Sequence, residues 1–151
     1  MKIRNAAMYD INEITAVESA CFPEAEAATR EEFEKRLAHY ADCFWLMTDD
    51  NGKIISFVDG MATDRRDLTD EMYENAALHD PNGRWQMIFG VNTLPEYRRR
   101  GYAEALLRQV AIDAKNRGRS GLVLTCKERL IHYYAKLGFV NEGLSRSTHG
   151  D

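Results

Sequence analysis

No apolar run in this chain approaches the ~20 residues that a membrane-spanning helix needs. The start, Met1-Lys2-Ile3-Arg4-Asn5, lacks the apolar stretch of a secretion signal and reads as the beginning of a strand. Only three cysteines occur, Cys21, Cys43 and Cys126, far apart and without metal-ligand spacing. An odd number of thiols and no leader fit a reducing cytoplasm, and no metal is expected. Internal repeats, low-complexity tracts and interdomain linkers are also missing. What remains is an ordinary soluble composition, 44% hydrophobic and 29% charged, in a chain of 151 residues. That length suits one domain, residues 1–151, with a substantial core.

The charge that is present is unevenly placed. From Asp10 to Asp80 there are 18 acidic and 6 basic residues, a net of about −12. From Arg98 to Arg129 there are 9 basic and 3 acidic residues, a net of about +6. The basic segment suits a polyanion and the acidic one a cation. Nucleic acid is the weaker choice of polyanion, because the basic stretch lacks the interleaved aromatics of single-strand binders. A phosphorylated cofactor needs fewer assumptions.

Taken in order, Lys2 to Ala6 reads as a strand. Asp10, with Glu13 three residues on, reads as a capping box that opens a helix with Ile11, Ile14, Val17 and Ala20 or Cys21 on its apolar stripe. Pro23 ends it. Thr29 and Glu32 repeat the capping pattern before a helix that turns Phe33, Leu37 and Tyr40 inward. Cys43 to Thr48 and Lys53 to Ala62 read as a hairpin around Asp49-Asp50-Asn51-Gly52, with Gly60 marking a bulge. A short helix is expected near Asp70 to Asn75 and a turn at Asp80-Pro81-Asn82-Gly83. Trp85 to Val91 is apolar enough for a central strand. Tyr102 to Arg117 is the clearest helix, burying Leu106, Leu107, Val110, Ala111 and Ala114, and Gly118 stops it. A short buried strand, Leu122 to Thr125, and a helix, Glu128 to Leu137, follow, and Phe139 and Val140 begin a last extended segment. The whole is a mixed α/β domain, an antiparallel front half with a β–α–β unit behind.

The chain is organised around Val91-Asn92-Thr93-Leu94-Pro95-Glu96-Tyr97-Arg98-Arg99-Arg100-Gly101-Tyr102-Ala103. A glycine turn at a helix N-terminus directs unpaired N–H groups and the helix dipole at one point, which favours an anion. Gly101 and Ala103 let a phosphate approach the main chain, and the arginines add charge. The second motif is Tyr134-x-Lys136-x-Gly138-Phe139, one helix and one strand later.

Arg98-x-x-Gly101-x-Ala103 followed by this second motif resembles the GNAT family of N-acetyltransferases over nearly the whole chain. Cys21-Phe22-Pro23-Glu24, Leu124-Thr125-Cys126-Lys127-Glu128 and Ser147-Thr148-His149-Gly150 look like the bacterial branch of arylalkylamine N-acetyltransferases. The resemblance implies the acyl-CoA N-acyltransferase fold, with acetyl-CoA as cosubstrate. It implies that Phe89, Gly90 and Val91 lie along the pantetheine arm, pairing with its amides as an added strand would. It places Arg99, Arg100, Gly101, Tyr102, Ala103 and Glu104 around the pyrophosphate and Tyr134 near the cofactor sulfur. Family members usually continue into one more strand, which this chain lacks if it ends at Asp151. An open sheet edge would then be left for a second copy, giving a homodimer.

The chemistry has its own logic. An amine must lose a proton before attacking a thioester, the carbonyl oxygen must be stabilised as it gains charge, and the thiolate must be protonated. A tyrosine hydroxyl, with a pKa near ~10, can supply that proton, so Tyr134 is the expected general acid. Tyr133 competes for the role, or either ring simply packs on the sheet. An N–H near Val91 could polarise the carbonyl. The base is open. The animal arylalkylamine enzymes have two histidines where Trp85 and Met87 match, so a histidine relay is in doubt. Glu24 and Glu26, in the loop expected to border the acceptor, or a water chain, are the candidates. His132 reads as a surface residue, His149 as close to the C-terminus, and Cys126 as a buried structural thiol.

The leading expectation is acetyl transfer to a small-molecule primary amine. The acidic front half would attract the cation, and Phe22, Trp45, Phe57 and Trp85 could hold an aryl group. Phe22, Glu24, Glu26, Trp85 and Met87 are the candidate substrate residues. A polyamine, protein lysine or N-terminal acceptor is the alternative, as is a non-catalytic CoA-binding module. No nucleic-acid or membrane partner is expected.

Overall fold

The computed structural model describes residues 1–145. Its elements in order are β1 (Lys2–Asn5), α1 (Ile11–Cys21), α2 (Arg30–Tyr40), β2 (Phe44–Thr48), β3 (Ile54–Asp59), β4 (Ala62–Thr63), α3 (Asp70–Glu74), β5 (Trp85–Ile88), β6 (Gly90–Thr93), α4 (Tyr102–Asn116), β7 (Gly121–Leu124) and α5 (Ile131–Lys136). The expected mixed α/β architecture is present.

The strands form two sheets. One has the order β1-β2-β3-β6 and the other β4-β5-β7. All pairings in the first are antiparallel, whereas β5 and β7 run parallel, with Trp85 opposite Gly121 and Ile88 opposite Leu124. Every residue of β2 and β3 is buried, because α1 and α2 cover one face and α4 the other. Each fully buried large apolar side chain there contributes about 1.5–3 kcal/mol. Phe33 of α2 meets Phe44 and Phe57 edge-on at 6.1 and 6.0 Å. On the other face, Trp45 Nε1 donates to Asp113 of α4 at 2.8 Å, which locks that helix to β2.

Local signals act as expected at several places. Thr29 Oγ1 accepts the Glu32 N–H and Glu32 accepts the Thr29 N–H, both at 3.1 Å. Asp49 accepts the N–H groups of Asn51 and Lys53 at 2.9 Å, and Gly52 takes the left-handed φ of 82° that closes the hairpin. After α4, the Gly118 N–H reaches Lys115 O and the Arg119 N–H reaches Ala114 O, a complete glycine C-cap.

Elsewhere longer-range partners change the outcome. Asp10 does not cap α1 with its side chain; the carboxylate is buried against Arg4, at 2.8 and 2.9 Å, and the Ala7 N–H. Glu13 reaches across to the Ile54 N–H at 2.7 Å. The expected strand Lys53–Ala62 breaks at Gly60 into β3 and β4, which belong to different sheets. A Cβ at Gly60 would overlap the Met87 carbonyl, and Gln86 Nε2 holds the break by donating to Gly60 O at 2.7 Å. The expected strand Trp85–Val91 likewise splits at Phe89 into β5 and β6. Ala20 and Ala111 are exposed, because each sits beyond the edge of its helix's buried stripe. Strand β7 is half-buried rather than buried, since it is an edge of its sheet, and residues 139–145 form no strand. Ser147, Thr148, His149 and Gly150 lie outside the described residues, as does any strand there. No helix among the described residues is long and apolar enough to cross a membrane.

Candidate active site

The split at Phe89 creates the site. Phe89 and Gly90 both face Asp59: the Phe89 N–H bonds Asp59 O at 2.7 Å, while Gly90 is the register partner of Asp59. From this bulge β5 continues beside β7, and β6 continues beside β3. The sheets part, and a cavity of about 1620 Å³ opens between them. Along β6 the Leu94 N–H bonds Ile55 O. Hydrogen-bonding direction alternates in an antiparallel ladder, so Val91 turns its N–H and C=O away from β3. No described strand pairs on that side, because β6 is the edge of its sheet. An extended, amide-bearing ligand could pair there as a further strand does.

Phe89, Gly90 and Val91 line the cavity, and Tyr134 lines it from α5. Burial pushes the Tyr134 hydroxyl up to about 12, with Tyr133 and Cys126 nearby adding to the effect. It therefore stays protonated near neutrality and can give a proton but not take one. Phe139 packs edge-on against its ring at 5.8 Å, and Tyr133 at 5.1 Å. Tyr133 is exposed and does not line the cavity. Its hydroxyl feels the Glu104 carboxylate of α4, which brings the two sequence motifs together in space.

The arginine turn is not among the cavity walls. It stands at the start of α4, where Gly101 takes a φ of 81° at the N-cap and offers no side chain to the first-turn N–H groups. Those groups remain available to an anion. Arg99 holds a φ of 64°, which only a constrained turn imposes on a residue with a Cβ. Arg98 Nε donates to Thr93 O at 3.0 Å, so this arginine braces the loop. Arg100 lies over the Tyr97 ring, with 5.5 Å from Cζ to the centroid. Tyr102 and Ala103 are half-buried in the first turn, and Glu104 pairs with Arg108 at 2.6 Å.

Among the acceptor candidates, Phe22 and Glu26 line the cavity, and Glu26 meets Lys127 across it at 3.9 Å. Trp85 also lines it, its ring lying over Gly121, where a Cβ would come within 3.0 Å. Glu24 is exposed, and Met87 is fully buried in the core; neither reaches a wall. Trp45 and Phe57 are core residues, which leaves Phe22 and Trp85 as the cavity aromatics of that set. His132 is exposed, as expected. Cys126 is exposed at the cavity rim rather than buried, because the chain leaves the sheet after Leu124.

The sequence reading missed a buried ionic cluster on the α1/α2 side of the bulge. Arg36 Nη1 donates to Asp59 Oδ2 at 3.0 Å, with exposures of only 4% and 1%. Arg36 also donates to Tyr73 O and lies over the rings of Phe33 and Phe89, at 5.4 and 5.1 Å. Glu18 of α1 is 7% exposed and accepts the Ala28 N–H at 2.9 Å. Complete burial pushes Asp59 above the ordinary carboxylate range against the pull of Arg36. Burial, and then the neighbouring Asp59, push Glu18 from 4.5 to about 7. A polar residue on the stripe of each helix, Glu18 and Arg36, was the available signal.

The model of the family described as acetyltransferase (GNAT) matches residues 8–139. Among solved structures, the GNAT-like decarboxylase GphF in complex with isobutyryl-CoA is 25% identical, with a TM-score of 0.75 over 93% of this chain and 73% of that one. Glucosamine-6-phosphate N-acetyltransferase from Arabidopsis thaliana is 18% identical, with a TM-score of 0.70 over 99% and 98%. The ribosomal-protein-S18-alanine N-acetyltransferase of Escherichia coli is 18% identical, with a TM-score of 0.70 over 94% and 79%. The last two likenesses concern the fold alone. No curated protein sequence matches the chain significantly.

Proposed function

Because this chain belongs to the GNAT acetyltransferase family, whose members move an acyl group from acyl-CoA to an amine, we propose that it transfers acetyl from acetyl-CoA to the primary amine of a small aryl-alkyl amine. The observation that carries the reading is the unpaired edge of β6 at Val91 facing a cavity that Tyr134 also lines. In this proposal Phe89, Gly90 and Val91 hold the pantetheine arm, while Arg99, Arg100 and the N–H groups after Gly101 hold the pyrophosphate. The amine attacks the thioester carbonyl, and Tyr134 protonates the departing thiolate. Burial keeps the hydroxyl protonated at neutrality, so a proton is at hand at each turnover. Phe22 and Trp85 on the cavity wall support an aromatic acceptor, and the acidic lining around Glu18 and Glu26 supports a cationic one.

The test is thiol release from acetyl-CoA with phenethylamine, tryptamine, spermidine and a lysine peptide. Preference for the first two amines is the expected result. Preference for spermidine or the peptide replaces the acceptor class, and CoA binding without turnover leaves a binding module. Isobutyryl-CoA in place of acetyl-CoA tests the acyl group, with slower transfer expected.

A further inference from the structure

We propose that Glu18 is the general base, receiving a proton from the acceptor's ammonium group where the two sheets part beside Gly90. The proposal rests on the acyl-transfer reading above and names a residue for the step that reading leaves without one.

Glu18, Arg36 and Asp59 all line the cavity. The arrangement depends on Gly90 having no side chain: a Cβ there would come within 3.0 Å of Asn92 Nδ2, 3.5 Å of Asp59 Oδ1 and 3.8 Å of Glu18 Oε1. Three polar groups from α1, β3 and β6 therefore converge on one point of the β6 backbone, next to Val91 and its outward N–H. Asn92 is wholly buried with its amide turned toward the Glu18 carboxylate, and Arg36 Nε is buried without a hydrogen-bond partner among the described residues. Buried polar groups gathered in this way are uncommon in an apolar core.

The charge balance selects Glu18. The groups facing it are Asp59 of β3, Arg36 of α2, the Asn92 amide of β6, the Ala28 N–H of the α1–α2 loop, and the Cys21 thiol of its own helix. One guanidinium serves two buried carboxyls. Burial raises both carboxyls, but Asp59 is engaged in a direct 3.0 Å bond with the guanidinium, so Glu18 is the one left to exchange a proton. A base poised near the working pH is the efficient kind.

The steps balance. The Glu18 carboxylate takes one proton from the ammonium, leaving a neutral amine. Its lone pair forms the C–N bond and the C–S bond breaks, with the electron pair leaving on sulfur. Tyr134 protonates that sulfur and recovers its proton from the nitrogen, which still carries one in excess. Glu18 then releases its proton to solvent.

Glu18→Gln keeps an oxygen for the Ala28 N–H, so the loop is preserved. In wild type, kcat/KM should rise with pH through one ionisation near neutrality. In E18Q that limb should vanish and kcat should fall about 100-fold, with acetyl-CoA affinity unchanged. Glu18→Asp should restore part of the rate and move the limb. An E18Q enzyme with the wild-type rate and limb overturns the proposal. Absence of thiol release by the wild type with every amine would instead sink the acyl-transfer reading. Tryptamine binding to the CoA-loaded protein then decides Glu18 by itself. Affinity should strengthen as pH rises past neutrality in wild type and not in E18Q. An identical pH dependence in both proteins, or no binding in either, overturns the assignment.

Discussion

The arginines before α4 stand in solvent around a glycine turn, whereas Arg36 of α2 is enclosed by Asp59, Phe33 and Phe89. Both regions carry positive charge, yet they are built for different work. Apart from Arg98, which braces the loop through Thr93 O, these exposed guanidiniums keep their hydration and contribute little to folding, but they remain free to meet an anion. Arg36 has exchanged its water for one carboxylate, one carbonyl and two rings, so the fold depends on it. Charge at the surface can be spent on binding, while charge inside the protein sets the ionisation of its neighbours.

The largest test of this contrast is Arg36→Ala. It leaves Asp59 and Glu18 buried without their cation, and unfolding in urea should show a loss of about 3–5 kcal/mol. A loss under about 1 kcal/mol would mean that the cluster is hydrated in solution and that the contrast is false.

The next concerns the sign of a pH effect. Glu18 is raised from 4.5 to about 7 in the folded protein, so between those values the folded state holds the extra proton. Its contribution is complete below the lower value and is lost as pH rises through the upper one. That loss approaches about 3 kcal/mol by linkage. Wild type should therefore lose stability relative to E18Q between pH 5 and pH 8, as read from urea midpoints. A constant difference between the two proteins would remove the raised proton affinity.

Tyr134→Phe should lower kcat about 100-fold while acetyl-CoA affinity and melting temperature barely move. Since burial holds this hydroxyl near about 12, it should add no limb to the rate profile around neutrality. An unchanged rate would remove Tyr134 from the chemistry.

The smallest effect belongs to the exposed side of the comparison. Arg99→Ala should weaken acetyl-CoA binding about tenfold, near 1.4 kcal/mol, and flatten its salt dependence. Stability should stay within about 0.5 kcal/mol of wild type. A destabilised variant would show that Arg99, despite its solvent exposure, helps to hold the turn together.

Much of this was legible in the residues because the signals are short. Thr29 with Glu32, Asp49 to Gly52, and Gly118 each act through bonds to neighbours a few positions away, and each forms as read. The arginine-glycine turn and Tyr134 stand in motifs of fixed spacing, so their placement at a helix start and on the cavity wall could be expected. Asp10 and Glu13 show where such reading stops. They have the capping pattern, but Arg4 and the Ile54 N–H offer those carboxylates better partners.

The order of most helices and strands and the anion-ready start of α4 follow from periodicity and local bonding, which any stretch of chain carries within itself, whereas the covering of β2 and β3 comes from the helices packed on them. The parting of the sheets at Gly60 and Phe89 required the tertiary structure. So did the ionisation of Glu18, since Glu18, Arg36, Asp59 and Asn92 lie far apart in sequence and meet only in the fold. Desolvation and charge coupling depend on everything that surrounds a group, and that surrounding exists only once the chain has folded.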